Sequence, residues 1–319
     1  MAVEILLLAK VHQMRIHEPL GRGMVIGDGL FLSNDQAIPR RIMNETTIRT
    51  IGDMEASYLL EAPLFIHGRW EEQKALGEIA AIPYLNIKMR QIFAFYDCLW
   101  TLRDNCVNSE TVFLIEREDG VRGERISVNG MAYRYDRADA EIVEEEFGRA
   151  EIQAARDKFA FRFRALEEDR ITPEMEFEGA RKSGRIGRAF KFHFAARVAS
   201  STFLKIANLC SCLEALFCSD SSEIAHKLAE RSAVFLEAEP EKRMRIYRFV
   251  KKAYGIRSHV IHGSAVKGEV EELVGTCVGL AQLVREIFNR ILSNEDEWDF
   301  FMKSEKDAFE QHFLEKILR

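Results

Sequence analysis

VEELVGTCVGLAQLVREIFNRI, residues Val270 to Ile291, decides how this chain is read. Val270, Leu273, Cys277, Leu280, Val284, Ile287 and Ile291 recur by threes and fours, the spacing that lines up one face of an α-helix. The same rhythm carries Phe203, Ile206, Cys210, Leu213 and Phe217. Between them lie Glu223–Leu236 and a further helix that Pro240 opens at its first turn and that is expected to close near Gly255. Upstream, Asp139–Glu168 is densely charged, with Phe147, Ile152, Phe159 and Phe163 as a sparse apolar face. From Asp136 onward strand signals vanish, so the second half is expected to be an α-helical bundle.

The first half has a different texture. Val3–Ala9, Met24–Ile26, Leu30–Ser33, Ile48–Ile51 and Ser57–Leu60 are short apolar or β-branched runs separated by turn formers such as Gly27-Asp28-Gly29. Thr111–Glu116 and Arg125–Tyr135 extend the set, the latter with a hairpin expected at Asn129-Gly130. Met89, Ile92, Phe93, Tyr96, Leu99 and Trp100 mark one intervening helix that stops at Asp104-Asn105. The expected fold class is therefore α+β: a mixed strand and helix domain over residues 1–136, then an all-α domain over 137–319.

Composition narrows the function classes. With 319 residues, 47% hydrophobic and 30% charged, the chain can bury a sizeable core. A formal net charge of -6 does not suit a basic nucleic-acid coat. MAVEILLLAK at the start is too short an apolar run for a signal peptide, and no stretch has the roughly 20 apolar residues of a membrane helix. Six cysteines without a C-x-x-C pair suit a reduced, cytoplasmic setting. Cys210-x-Cys212 would point its thiols about 200° apart on a helix, which disfavours a zinc site. No phosphate-binding loop, dinucleotide fingerprint or nucleophile elbow is present, and no metal or cofactor is expected.

Chemistry concentrates in Tyr254–Gly263, YGIRSHVIHG. Arg257 offers a planar, permanent charge for phosphate, and His262 a group able to move protons near neutral pH. Together they suffice for metal-free RNA cleavage. Spacing alone leaves a basic helix terminus with a capping His as the competing reading, because Arg188 and His193 share the same interval. Five helical residues also separate two side chains by about 140°. A bend, a helix end or a second subunit would have to bring Arg257 and His262 together.

The wording of this segment resembles the R-S-x-x-x-H-G signature of the Apea-like branch of the HEPN superfamily. Leu213-Glu214-Ala215-Leu216-Phe217 resembles that branch's L-E-A-L-F helix, and Glu223–Arg231 its second helix block. The three blocks occur in the expected order within a core of about residues 188–292. The resemblance implies a four- or five-helix bundle that forms a homodimer, with both copies' motifs lining one cleft. It implies a metal-independent endoribonuclease acting on single-stranded RNA or tRNA, in a toxin-like or antiphage role. Arg257 and His262 would then be catalytic. Ser258 stands where the superfamily often has Asn, Asp or His; His259 is either a substitute acid or base or an exposed neighbour. Glu214 is a candidate to orient Arg257, the alternative being an ordinary helix–helix ion pair.

Two basic segments bear on the substrate. Arg181, Lys182, Arg185 and Arg188 fall in a Gly-flanked stretch expected to be a mobile loop, and Lys251 and Lys252 lead into the motif. All six are candidate RNA contacts, because basic side chains track a phosphate backbone. Phe190, Phe192 and Phe194, interleaved with the first segment, are expected to be core. The N-terminal domain is the expected place for a trigger or regulatory partner. The alternative function is a non-catalytic module that binds RNA, nucleotide or a protein partner.

Overall fold

The computed structural model describes residues 2–121, 123–130, 134–168, 184–263 and 269–318. It has an α+β layout, with a six-stranded antiparallel sheet near the N-terminus and a mostly helical remainder. Contacts divide the chain into two compact units. The first comprises 1–100, 105–135 and 142–160; the second 101–104, 136–141 and 161–319.

In the first unit the strands are β1 (Val3–Lys10), β2 (Met14–Arg15), β3 (Met24–Gly27), β4 (Leu30–Ser33), β5 (Phe65–Glu72), β6 (Thr111–Glu118), β7 (Arg125–Gly130) and β8 (Glu145–Glu146). The large sheet runs β3-β4-β5-β1-β6-β7, and β2 pairs with β8 in a separate parallel ribbon. β1 reads VEILLLAK and lies in the middle of the sheet, where both faces are covered and alternation is unnecessary. On one face Leu6, Leu8, Phe113 and Ile115 pack against α1 (Ala37–Ile42), α2 (Glu45–Ile51) and α3 (Asp53–Leu60). On the other lies α4 (Ala81–Trp100): Asn129, which alternates with Val128 on β7, donates through Nδ2 to Asn86 Oδ1 at 2.7 Å.

Three expectations for this unit are corrected. Ile48–Ile51 and Ser57–Leu60 are helical, within α2 and α3. Four-residue apolar windows do not separate strand from helix. Capping decides here, since Asn44 Oδ1 accepts from Thr47 N at 2.9 Å and Gly52 turns the chain at φ 91. Asn129 and Gly130 are paired strand residues of β7, opposite Val112 and Thr111 of β6, and not the tip of a hairpin. Residues 131–133 of the expected run lie outside the described residues. β5, FIHGRWEE, lacks alternation and carries no strand signal of its own. Pairing with both β4 and β1 makes it a strand.

Glu116 is the energetic anomaly of the sheet. Its side chain is fully buried opposite Arg125, whose Nε is 3.9 Å from Oε1, and neither carboxylate oxygen has a well-formed hydrogen bond. Burial pushes its pKa up, against the opposing pull of Arg125. A raised carboxyl pKa supports folding below the unfolded value and weakens it as pH rises through the folded value. Glu116→Gln is therefore expected to gain stability relative to wild type as pH rises from 4 to 8. Denaturant melts at the two pH values measure this.

The second unit holds the remaining helices: the C-terminal part of α5 (Arg149–Glu168), α6 (Arg185–Val198), α7 (Thr202–Phe217), α8 (Ile224–Leu236), α9 (Pro240–Ile261), α10 (Val270–Ile291), α11 (Glu295–Lys303) and α12 (Lys306–Leu318). The α10 stripe is buried from Leu273 through Cys277, Leu280, Val284 and Ile287 to Ile291, while Val270 at its start is exposed. Gly279 sits in this helix where α9 comes close; a Cβ there would fall 2.8 Å from the Phe249 ring.

Two expectations change here. α9 does not stop at Gly255 but continues to Ile261. A glycine ends a helix by adopting positive φ, and Gly263 does so at φ 68 while Gly255 does not. The Gly-rich stretch expected to be mobile is partly helix: Gly184 is the N-cap of α6 and Gly187 is buried inside it. Phe190 is core, Phe194 half-buried and Phe192 exposed. Steps of two turn a helix by about 200°, so the middle ring of the three faces away from the other two. Among the described residues no helix is long and apolar enough to cross a membrane.

Candidate active site

α9 carries the motif. Pro240 occupies its first turn, where a missing N–H costs nothing, and Glu241 follows. Val250 and Ala253 are buried, and Tyr254 and Arg257 continue the same inward face one turn at a time. That face meets α7, which presents Glu214.

Arg257 and Glu214 form an ion pair across the two helices. Arg257 Nη2 lies 3.2 Å from Glu214 Oε1 and 3.5 Å from Oε2, with each side chain 21% exposed. The hydrogen bond goes to Oε2; Oε1 lacks hydrogen-bonding geometry, as does Arg257 Nε. The guanidinium also lies over the ring of Tyr254, 5.3 Å from its centroid. Burial raises the Glu214 pKa, with Arg257 opposing, and burial followed by the Glu214 charge raises that of the Tyr254 phenol. Tyr254 has no place in the sequence reading, although its i, i+3 spacing to Arg257 was the signal for it.

His262 lies at the C-terminal end of the same helix. It is the C-cap of α9, exposed, with its backbone N–H donating to the Ser258 carbonyl at 3.1 Å. Gly263 then donates to Val260 at 3.3 Å and turns the chain. His259, three residues before His262, is also exposed, and Ser258 is half-buried. The structure thus joins Glu214 to Arg257 and leaves His262 and His259 exposed. Replacing Gly263 by Ala places a Cβ in the left-handed region and is expected to cost about 1–2 kcal/mol, read as a lower melting temperature.

The basic candidates separate. Arg181 and Lys182 lie outside the described residues. Arg185 belongs to α6 rather than a loop, and its guanidinium donates to the Cys218 carbonyl at 2.7 Å while stacking 3.7 Å from the Phe309 ring centroid. Burial, with Arg188 and Arg231 nearby, lowers its pKa to about 10. It donates to carbonyls at the end of α7, a C-terminal cap supplied from another helix. Arg188 is half-buried in α6. Lys252 pairs with Glu272 at 2.7 Å, and Lys251 is exposed with Nζ 5.7 Å from the Tyr247 ring centroid. Cys210 and Cys212 are both buried, and burial pushes both thiols up, which makes them inert core side chains.

No protein-family model matches this chain, and no curated protein or solved structure matches it either.

Proposed function

We propose that this chain is a metal-independent endoribonuclease, a HEPN-like homodimer cutting single-stranded RNA or tRNA in the cytoplasm in a toxin-like or antiphage role. The observation that carries the reading is the exposure of His262 at the end of the helix whose inward face holds Arg257 against Glu214. In the reaction an imidazole accepts the proton of a ribose 2′-hydroxyl, and that oxygen attacks the adjacent phosphorus. The bond to the 5′-oxygen breaks, and the departing oxygen takes a proton from a second imidazole or from water. The guanidinium stabilises the charge that develops on the phosphorane oxygens. Because Arg257 is held against Glu214 while His262 is exposed, a complete pair in this reading draws on a second copy of the motif.

Incubation of RNA with purified protein in EDTA tests this, with the ends of the products mapped. Cleavage that leaves 2′,3′-cyclic phosphate and 5′-hydroxyl ends is expected. Cleavage that persists in folded Arg257→Ala and His262→Ala proteins overturns it.

A second reading, a non-catalytic module that binds RNA, nucleotide or a protein partner, is favoured by one feature. The guanidinium of Arg257 is engaged by a carboxylate rather than free for phosphate. RNA retention without cleavage, weakened in Arg257→Ala and unchanged in His262→Ala, would select it.

A further inference from the structure

The sheet unit carries a groove with a chemistry of its own. β7 is an edge strand, and α2 and α3 cover only part of the face it shares with β6. By register Phe113 lies opposite Val128 and Ile115 opposite Ile126, so these four side chains share that face. Phe113 and Ile115 enter the core beneath the helices, whereas Val128 stays 45% exposed and Met54 on α3 is 84% exposed. The space between them measures about 590 Å³, within the ordinary range for small-ligand sites.

Its walls are chemically one-sided. Met54, Phe113 and Val128 supply apolar lining, Tyr58 an aromatic ring, and Glu55 and Glu110, both exposed, two carboxylates. Among the described residues no Lys, Arg or His lines it. The Tyr58 hydroxyl is hydrogen-bonded to His12 Nε2 at 2.6 Å, which fixes the ring, and Lys10 Nζ lies 4.6 Å from the ring centroid. That lysine, itself outside the lining, shows the ring accepting a cation on a face. Burial and the nearby Glu110 charge raise the Tyr58 phenol to about 12, so it stays neutral and hydrogen-bonding across the physiological range.

We propose that this groove binds a small organic cation with an apolar body, an arylalkyl amine being the simplest type. The apolar portion covers Met54 and Val128, which are otherwise left in water. The ammonium meets the two carboxylates and an aromatic face. Anions are disfavoured by the same carboxylates, so neither a nucleotide nor the RNA backbone suits this site. The site is independent of Arg257 and His262.

Titration calorimetry of the full chain with phenethylammonium tests this, with 2-phenylethanol and 3-phenylpropionate as neutral and anionic counterparts. Saturable binding of the amine is expected, with no saturation by the carboxylate and at least about tenfold weaker binding by the alcohol. Glu55→Gln with Glu110→Gln, both at exposed positions, is expected to weaken the amine by about tenfold or more. Val128→Trp, which fills the groove, is expected to abolish binding in a protein with an unchanged circular dichroism spectrum. Absence of saturation by the amine overturns the proposal, as does equal affinity for the three probes or indifference to both variants. So does a concentration-dependent dimer that Met54→Glu dissolves, since a second copy would then occupy the groove.

Discussion

His262→Ala is expected to lower RNA cleavage by about 10²–10⁴-fold, the range for removing a positioned acid–base group, while leaving the melting temperature unchanged. The expectation of an intact fold comes from the site itself. His262 is exposed at the C-cap, and the helix end is secured by backbone bonds, His262 N to Ser258 O and Gly263 N to Val260 O, that do not use the imidazole. His259→Ala is the matched control: it removes an equally exposed imidazole one turn away. Loss of cleavage in His262→Ala with retention in His259→Ala assigns the proton transfer to His262; the reverse result assigns it to His259. Arg257→Ala is expected to be comparably inactive but less stable, because it leaves a half-buried Glu214 unpaired. Glu214 already has its pKa raised by burial, so it meets that loss by taking up a proton. Measuring both variants at pH 5 and pH 8 separates a folding defect, which should ease at the lower pH, from a catalytic one, which should not.

Glu310→Ala is expected to cost about 3–5 kcal/mol, because it strands a buried guanidinium. Arg231, with its side chain 5% exposed, donates to Glu310 Oε2 at 2.5 Å, to Oε1 at 3.1 Å and to the Phe217 carbonyl at 2.7 Å. Ser219 Oγ donates to the same carboxylate, so α12 is tied to the end of α7 and to α8 through one group. For Glu310 burial pushes the pKa up, but the hydrogen bonds from Arg231 and Ser219 outweigh it and the net shift is downward. A lowered carboxyl pKa supplies stability above the unfolded value, near 4.5, and loses it as pH falls through the folded value. Wild type should therefore weaken below about pH 4 at this contact, whereas Glu310→Gln should lack that part of the acid transition. Arg231→Met combined with Glu310→Leu should recover most of the loss, since removing both charges leaves neither stranded. Thermal melts of the single and double variants give the result directly. A double variant no better than Glu310→Ala would mean that packing of α12, and not the stranded charge, sets the cost.

Much of the helical half was legible from residue spacing. Periodicity placed α7 and α10, Pro240 placed the start of α9, and helical geometry already set Arg257 and His262 about 140° apart, whereas α11, α12 and the first turn of α6 carried no such reading. These are local properties: 3.6 residues per turn and a fixed φ at proline hold wherever the helix packs. The ends were harder. Gly255 and Gly263 are the same residue in the sequence, and only the backbone conformation distinguishes a glycine that helix contacts carry through from one that turns out at φ 68. In the first half the four-residue windows were too short to separate helix from strand, so Asn44 capping overrode the β-branched reading of Ile48–Ile51.

Partnership depended on how the elements pack. Glu214 and Arg257 could be named as a pair, but their 3.2 Å approach depends on how α7 and α9 pack. Arg185 read as a surface cation and proved to be a cap for another helix, because the carbonyls at Leu216 and Cys218 needed donors. β5 is a strand because β4 and β1 offer it hydrogen bonds from either side, not because of its own alternation. The groove between α3 and β7 assembles Met54, Tyr58, Glu110 and Val128 from separate segments. A side chain's direction from its own helix or strand is a local matter of backbone geometry. What it meets there depends on residues far along the chain, and burial, which sets the worth of every charge, exists only once they have met.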